Sequence, residues 1–332
     1  MSGRISSRLS IAIVRGRRIS SGIVIAIAAV AALAAGTPAQ ATTASHTKAT
    51  PVRGNFAGQI AIGNGRKLYL RCKGRGRPAV ILESGIHDSS DTWTLTQTEP
   101  PVLSSPAVFS GVARFTRVCR YDRPGTIRYT DPPRLTARST PVEMPRTLPE
   151  MATDLRALLR RSGIRGPYTL VGHSFGGMIV RLFAQTYPSK VAGLVLVDSF
   201  GTNIRSLFGP DLWPGYVELL NYPGTPLDSD PSFETVDIDG AIDALLEAPA
   251  LRRIPLAVMS KTEPFATAPG VPPAITSKLE EVWPLVQKAL VRLEPQTPHV
   301  FATGSDHYVQ IHAPDLTIGT IRLIVKRARR ER

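Results

Sequence analysis

YTLVGHSFGGMIV, Tyr168 to Val180, sets one serine between glycines at the point where a mostly apolar run changes its period. Its first five residues have the composition of a strand covered on both faces. From Phe175 onward the apolar residues of FGGMIVRLFA recur three and four apart, which is helical spacing. Ser174 therefore falls in the tight turn between a strand and a helix. Gly172 and Gly176 flank it as in the G-x-S-x-G nucleophile elbow, where small residues let neighbouring backbone come close and the hydroxyl projects above the sheet edge. The five-residue motif recurs by chance in chains of this size, so its weight comes from the strand before it and the helix after it. A dinucleotide-binding turn is the competing reading, and the G-x-G-x-x-G run that it needs is missing here.

The same alternation extends in both directions. PAVILES, TRVCRYD, AGLVLVD and IPLAVMS are short apolar runs, and LPEMATDLRALLRRSG places apolar residues at helical spacing. Strands alternating with helices predict crossover units and a mostly parallel sheet. Near the start, GQIAIGNGRKLYLRC reads as a hairpin about Gly63-Asn64-Gly65. Between Asp198 and Ile254 the chain is rich in Pro, Gly and Asp, with two helix-like pieces around DLWPGYVELL and DGAIDALLEA. That length exceeds a simple connection of about 2 to 6 residues and predicts an inserted lid over residues 200–252.

The chain has 332 residues, 42% of them hydrophobic, and a formal net charge of +14. Much of the charge is terminal. Arg4, Arg8, Arg15, Arg17 and Arg18 precede an apolar run, Ile23 to Ala35, and then the small-residue sequence AQA. This is the layout of a signal peptide, expected over residues 1–41 with cleavage after Ala41. Its apolar run is shorter than the roughly 20 residues that span a bilayer, so stable membrane insertion after cleavage is not expected. Without those five arginines the net charge falls to +9, and the tail KRARRER supplies +4 of that. This tail, whose last five residues, 328–332, fall past the domain, reads as the solvated end of a last helix, with weak attachment to an anionic surface as the other reading. Aromatics total 6% and do not interleave with Lys or Arg, so nucleic acid is not an expected partner. Residues 42–54 read as a flexible leader, and residues 55–327 as the domain.

A serine hydroxyl needs a base and an acid that orients it. HVFATGSDHYVQIHAPDL offers His299, His307 and His312. His307 follows a strand-like run and sits in a polar turn, so it is the expected base; His299 and His312 read as packing or surface residues, and Asp306 as structural. The acid is expected at Asp198, which ends the strand AGLVLVD, with Glu263 after the next strand as the alternative. Phe175 and Ile86 are expected to supply the backbone N–H groups of an oxyanion hole, with Gly85 letting the loop turn. His87 reads as a pocket wall. Trp213, with Leu207, Phe208, Leu212 and Tyr216, reads either as part of an apolar substrate pocket or as the lid's own core.

ILESG, VCRYDRPG, GPYTLVGHSFGGMIVRLFAQTYPSKVAGLVLVDS and GSDHYVQ together resemble the α/β-hydrolase fold of lipase- and esterase-like proteins, as in secreted actinobacterial members. The resemblance covers about residues 57 to 327 and implies an eight-stranded, mostly parallel sheet in the order 1-2-4-3-5-6-7-8, with a lid after the sixth strand. It also makes the strands of Cys72 and Cys119 neighbours, which implies a disulfide between them. The loop after ILESG reads IHDSS in place of a His-Gly form, and no aspartate follows the seventh strand. The implied chemistry is ester hydrolysis through an acyl-enzyme, on a small-molecule ester with an apolar acyl group and with no metal or cofactor. Acyl transfer, amide hydrolysis, cofactor-free peroxidation and a non-catalytic binding role are the other readings that the fold allows.

Overall fold

The computed structural model describes residues 51–96, 106–266 and 270–331. The expected signal peptide and residues 42–50 of the expected leader lie outside them. Eight strands form the main sheet: β1 (Phe56–Gly63), β2 (Arg66–Lys73), β3 (Val80–Glu83), β4 (Val118–Tyr121), β5 (Tyr168–His173), β6 (Val191–Val197), β7 (Leu256–Lys261) and β8 (His299–Ala302). Their spatial order is β1-β2-β4-β3-β5-β6-β7-β8, the order implied by the resemblance. Strands β3 to β8 run parallel, while β2 pairs antiparallel with both β1 and β4. Asn64 and Gly65 both take positive φ in the β1–β2 turn, as a tight two-residue hairpin requires.

Alternation along each strand divides the core between the two faces of the sheet. Ile81, Leu170, Leu194 and Leu196 face α2 (Leu148–Arg161) and α3 (Gly176–Thr186). Leu82, Val171, Val195 and Val197 face α1 (Val108–Val112), the short α8 (Val309–His312) and α9 (Pro314–Arg330). Helix α2 begins with a reciprocal capping box between Thr147 and Glu150, an arrangement whose loss costs about 1 kcal/mol. Between β6 and β7 the chain makes an excursion with α4 (Ile204–Phe208), α5 (Trp213–Asn221) and α6 (Ile238–Glu247), of which α6 packs on α2 and α3, and α4 on α7 (Pro273–Val291). Helix α9 continues through the expected tail to Arg330, with Ala328 buried.

The antiparallel register sets Cys72 opposite Cys119, with Cα atoms 4.1 Å apart, and the two form a disulfide. Because β3 to β8 share one direction, their C-terminal ends gather on one edge of the sheet. The turns that leave β3, β5, β6 and β8 bring Gly85, Ser174, Asp198 and His307 to that edge.

Candidate active site

Ser174 takes φ +51, a left-handed backbone that a non-glycine residue adopts only when its surroundings enforce it. Hydrogen bonds hold the turn: the Ser174 N–H donates to Val197 O at 3.1 Å, and its carbonyl accepts from the N–H of Phe200 and of Gly177, each at 3.0 Å. The flanking glycines are steric requirements. A Cβ on Gly172 would lie 2.5 Å from Gly176 O, and one on Gly176 would lie 2.4 Å from Ser84 O.

Asp198 is also turned to positive φ, at +40, directly after β6. Its carboxylate is fully buried; Oδ1 accepts the Lys261 N–H at 3.1 Å, and Oδ2 lies 2.6 Å from His307 Nδ1. A buried carboxylate at Nδ1 fixes the proton there and leaves the Nε2 lone pair as the basic position. The His307 ring is walled by Phe265, Trp283 and His173, with ring centroids 4.8, 5.5 and 4.7 Å away. His173, the neighbour of Ser174 in sequence, bonds through Nε2 to the His307 carbonyl at 2.9 Å. Burial, with His307 beside it, holds the His173 pKa well below the usual imidazole range, so this ring is a neutral spacer between the Ser174 turn and the His307 turn.

Glu263 does not approach the imidazole. Its side chain is exposed and accepts from the Thr262 hydroxyl at 3.2 Å. His299 pairs with the Ser260 hydroxyl at 2.8 Å, and His312 with Asp306 at 2.9 Å. Asp306 also accepts the Tyr308 N–H, so it orders the turn that carries His307.

The loop after β3 presses against the serine. A Cβ on Gly85 would come within 3.3 Å of Ser174 Cβ and 3.0 Å of His173 Nδ1, so glycine is what permits the contact. Among the described residues, neither Phe175 nor Ile86 gives its backbone N–H to another group. His87, at φ +62, is buried and stacked on Phe233, with Nε2 on Leu220 O at 2.6 Å. Burial lowers its pKa. The ring is thus a wall that joins this loop to α5.

Trp213, which the sequence allows at the substrate pocket or in the lid's own core, lies in the core of the excursion. Its indole Nε1 donates to Asp239 at 2.9 Å, and its ring packs on Phe208 and Tyr216. An apolar pocket of about 210 Å³ lies beyond it, lined by Tyr216, Leu219, Leu220, Phe265, Ile275 and Leu279 among others. Phe265 both lines this pocket and stacks on His307.

A buried ionic network lies beneath the loop, among residues to which no local sequence pattern assigns a role. Arg123 donates through Nε and Nη2 to Glu234 at 2.7 and 2.8 Å, and through Nη1 to Glu83 at 2.6 Å. The same guanidinium holds the carbonyls of Ser84 at 2.9 Å and Gly85 at 2.5 Å, while Glu234 accepts the His87 N–H at 2.7 Å. Glu234 belongs to the excursion after β6, so one arginine ties that segment to the loop beside Ser174. Burial raises the Glu83 pKa to about 7 against the pull of Arg123. Nearby, Asp88 accepts from Tyr129 and sits 3.9 Å from His173 Nδ1; burial raises its pKa to about 6. The RPG of VCRYDRPG was the available sign, but a charged residue in sequence does not reveal that it is buried. Among the described residues, no three His, Cys, Asp or Glu side chains gather as a metal-binding group, and no helix is long and apolar enough to cross a membrane.

A family model of the alpha/beta hydrolase fold matches residues 78–226. The chain is 23% identical to the uncharacterized protein YqjL of Bacillus subtilis over 249 residues, covering 74% of this chain and 82% of that one. It is 34% identical to Lipase LipV of Mycobacterium tuberculosis over 116 residues, covering 32% of this chain and 44% of that one. A probable transporter of Hormonema carpetanum, efuK, matches at 31% identity over 43% of this chain, which spans only 18% of that protein's length. Among solved structures, a thermophilic esterase from Thermogutta terrifontis with malate bound superposes with a TM-score of 0.51 at 19% identity, over 83% of this chain and 99% of that one. A hydrolase from Pseudomonas aeruginosa gives 0.52 at 17% identity, over 81% and 97%. At these identities the structures speak for the fold.

Proposed function

We propose that this chain, a member of the α/β-hydrolase-fold superfamily, is a serine hydrolase that cleaves carboxylic esters of small molecules. The observation that carries the reading is the 2.6 Å contact between Asp198 Oδ2 and His307 Nδ1, on the same sheet edge as the strained turn of Ser174. His307 Nε2 takes the Ser174 proton as Oγ attacks the ester carbonyl, and the imidazolium is stabilised by Asp198. The backbone N–H groups of Phe175 and Ile86 receive the charge that develops on the carbonyl oxygen. His307 returns its proton to the leaving alkoxide, which leaves an acyl group on Ser174. Water, deprotonated by the same base, then releases the acid.

The acyl group occupies the pocket between α5 and α7, which adjoins the base through Phe265. Its volume of about 210 Å³ lies below the roughly 300–1,000 Å³ of pockets for drug-sized ligands and favours short to medium acyl chains. The excursion over residues 200–252 serves as the lid. Residues 1–41 serve as an export signal, and the Cys72–Cys119 disulfide is compatible with an oxidising compartment.

The test is Ser174→Ala, assayed on short p-nitrophenyl esters together with fluorophosphonate labelling of the wild type. Turnover is expected to vanish with the fold retained, and the label is expected on Ser174. Undiminished turnover in a folded Ser174→Ala protein would refute the mechanism.

A further inference from the structure

A crevice of about 350 Å³ lies at the opposite edge of the sheet, lined by Arg53, Arg77, Arg117 and Arg165. Its position follows from the topology. Arg77, Arg117 and Arg165 come just before β3, β4 and β5, whereas Ser174, Asp198 and His307 follow β5, β6 and β8. We propose that this crevice is a binding site for a phosphate-bearing ligand, separate from the catalytic edge.

Four arginines line the crevice, and no aspartate or glutamate does. None of the four takes part in an ion pair among the described residues. Arg120, Arg123, Arg138 and Arg146 elsewhere in the domain all meet carboxylates. Arg117 is half-buried, with Nη2 held by the Val52 carbonyl at 3.0 Å, and burial lowers its pKa with no opposing acid. Arg329 reinforces the rim: its Nε donates to Arg77 O at 2.7 Å and its Nη2 to Phe115 O at 3.3 Å. Like charges gathered around a concavity without counter-charge favour an anion that accepts from several guanidinium forks at once. Phosphoryl oxygens fit that fork geometry, and a ligand with more than one negative charge gains most. The volume admits more than a single phosphate group, which points to a pyrophosphate or a phosphorylated headgroup.

The test compares the purified wild type with Arg77→Glu/Arg165→Glu and with Arg134→Glu/Arg292→Glu. All four arginines are exposed, and the second pair lies outside the crevice while changing the net charge equally. Thermal unfolding is followed in graded pyrophosphate, since a ligand that binds the folded state raises the midpoint. A saturable rise is expected in wild type and in the control pair, with apparent affinity at least about tenfold weaker in the crevice pair, or about 1.4 kcal/mol. No saturable rise, or equal weakening in both pairs, would overturn the site. Co-sedimentation with phosphatidylglycerol and phosphatidylcholine vesicles identifies the source of the phosphate. Binding to the anionic vesicles that pyrophosphate displaces, and that the crevice pair alone loses, assigns a lipid headgroup. Pyrophosphate binding without vesicle binding assigns a soluble ligand.

Discussion

Asp198 Oδ2 and His307 Nδ1 stand 2.6 Å apart although 109 residues separate them in the chain. Of the two acids that the sequence leaves open, Asp198 makes this contact, and Glu263 is exposed. Asp198→Asn is expected to lower kcat on p-nitrophenyl butyrate by about 10³–10⁴-fold, because an amide at Nδ1 no longer fixes the proton there. Glu263→Gln should leave kcat unchanged. Steady-state kinetics on both variants decide the matter, and a reversed ranking would move the acid to Glu263.

Arg123 holds the carbonyls of Ser84 and Gly85 and thereby orients the next N–H, that of Ile86. Lysine cannot reproduce the fork. Arg123→Lys is therefore expected to cut kcat roughly 10²-fold with little change in KM, the mark of a displaced transition-state contact. Arg123→Met, which leaves Glu83 and Glu234 buried without their counter-charge, should lose roughly 3–5 kcal/mol in urea unfolding.

The Glu83 pKa, raised from 4.5 to about 7 in the folded state, makes stability fall as pH rises. Between these values the folded protein holds a proton that the unfolded chain has released, so the contribution is full below about pH 4.5 and is lost as pH rises through about 7. Glu83→Gln should flatten this part of the profile. Urea midpoints measured across that range check it, and an unchanged slope would remove Glu83 as the cause.

Leu279 lines the apolar pocket beside α5. Leu279→Trp narrows it and is expected to reduce kcat/KM for p-nitrophenyl octanoate more than for the acetate. Each acyl methylene excluded from the pocket forfeits about 0.8 kcal/mol, or roughly fourfold in kcat/KM. Equal losses on both esters would place the acyl chain elsewhere.

The Cys72–Cys119 bridge closes a loop of 47 residues. Loop-closure entropy sets its contribution at about 4 kcal/mol as an upper value. Cys72→Ala/Cys119→Ala should accordingly lower the unfolding free energy, and dithiothreitol should destabilise wild type but not the double variant.

The strand–turn–helix around Ser174 was legible in the sequence because its cause is local: a change of hydrophobic period, and glycines where backbone approaches backbone. The parallel sheet, the hairpin at Asn64 and the turn bearing His307 followed from similarly short-range patterns, and the strand order came from the resemblance. The choice between Asp198 and Glu263 was not local. Both follow strands of the same edge, and only the packed sheet turns one carboxylate inward at positive φ and leaves the other in solvent. Trp213 shows the same limit, since an apolar side chain reads alike whether it faces a pocket or its own helix neighbours. The Arg123 network and the arginine crevice depend on residues 40 to 111 positions apart in the first case, and on four separate segments in the second. Sequence determined which groups could carry the chemistry; the tertiary structure decided which of them meet, because burial and charge pairing are properties of the assembled core.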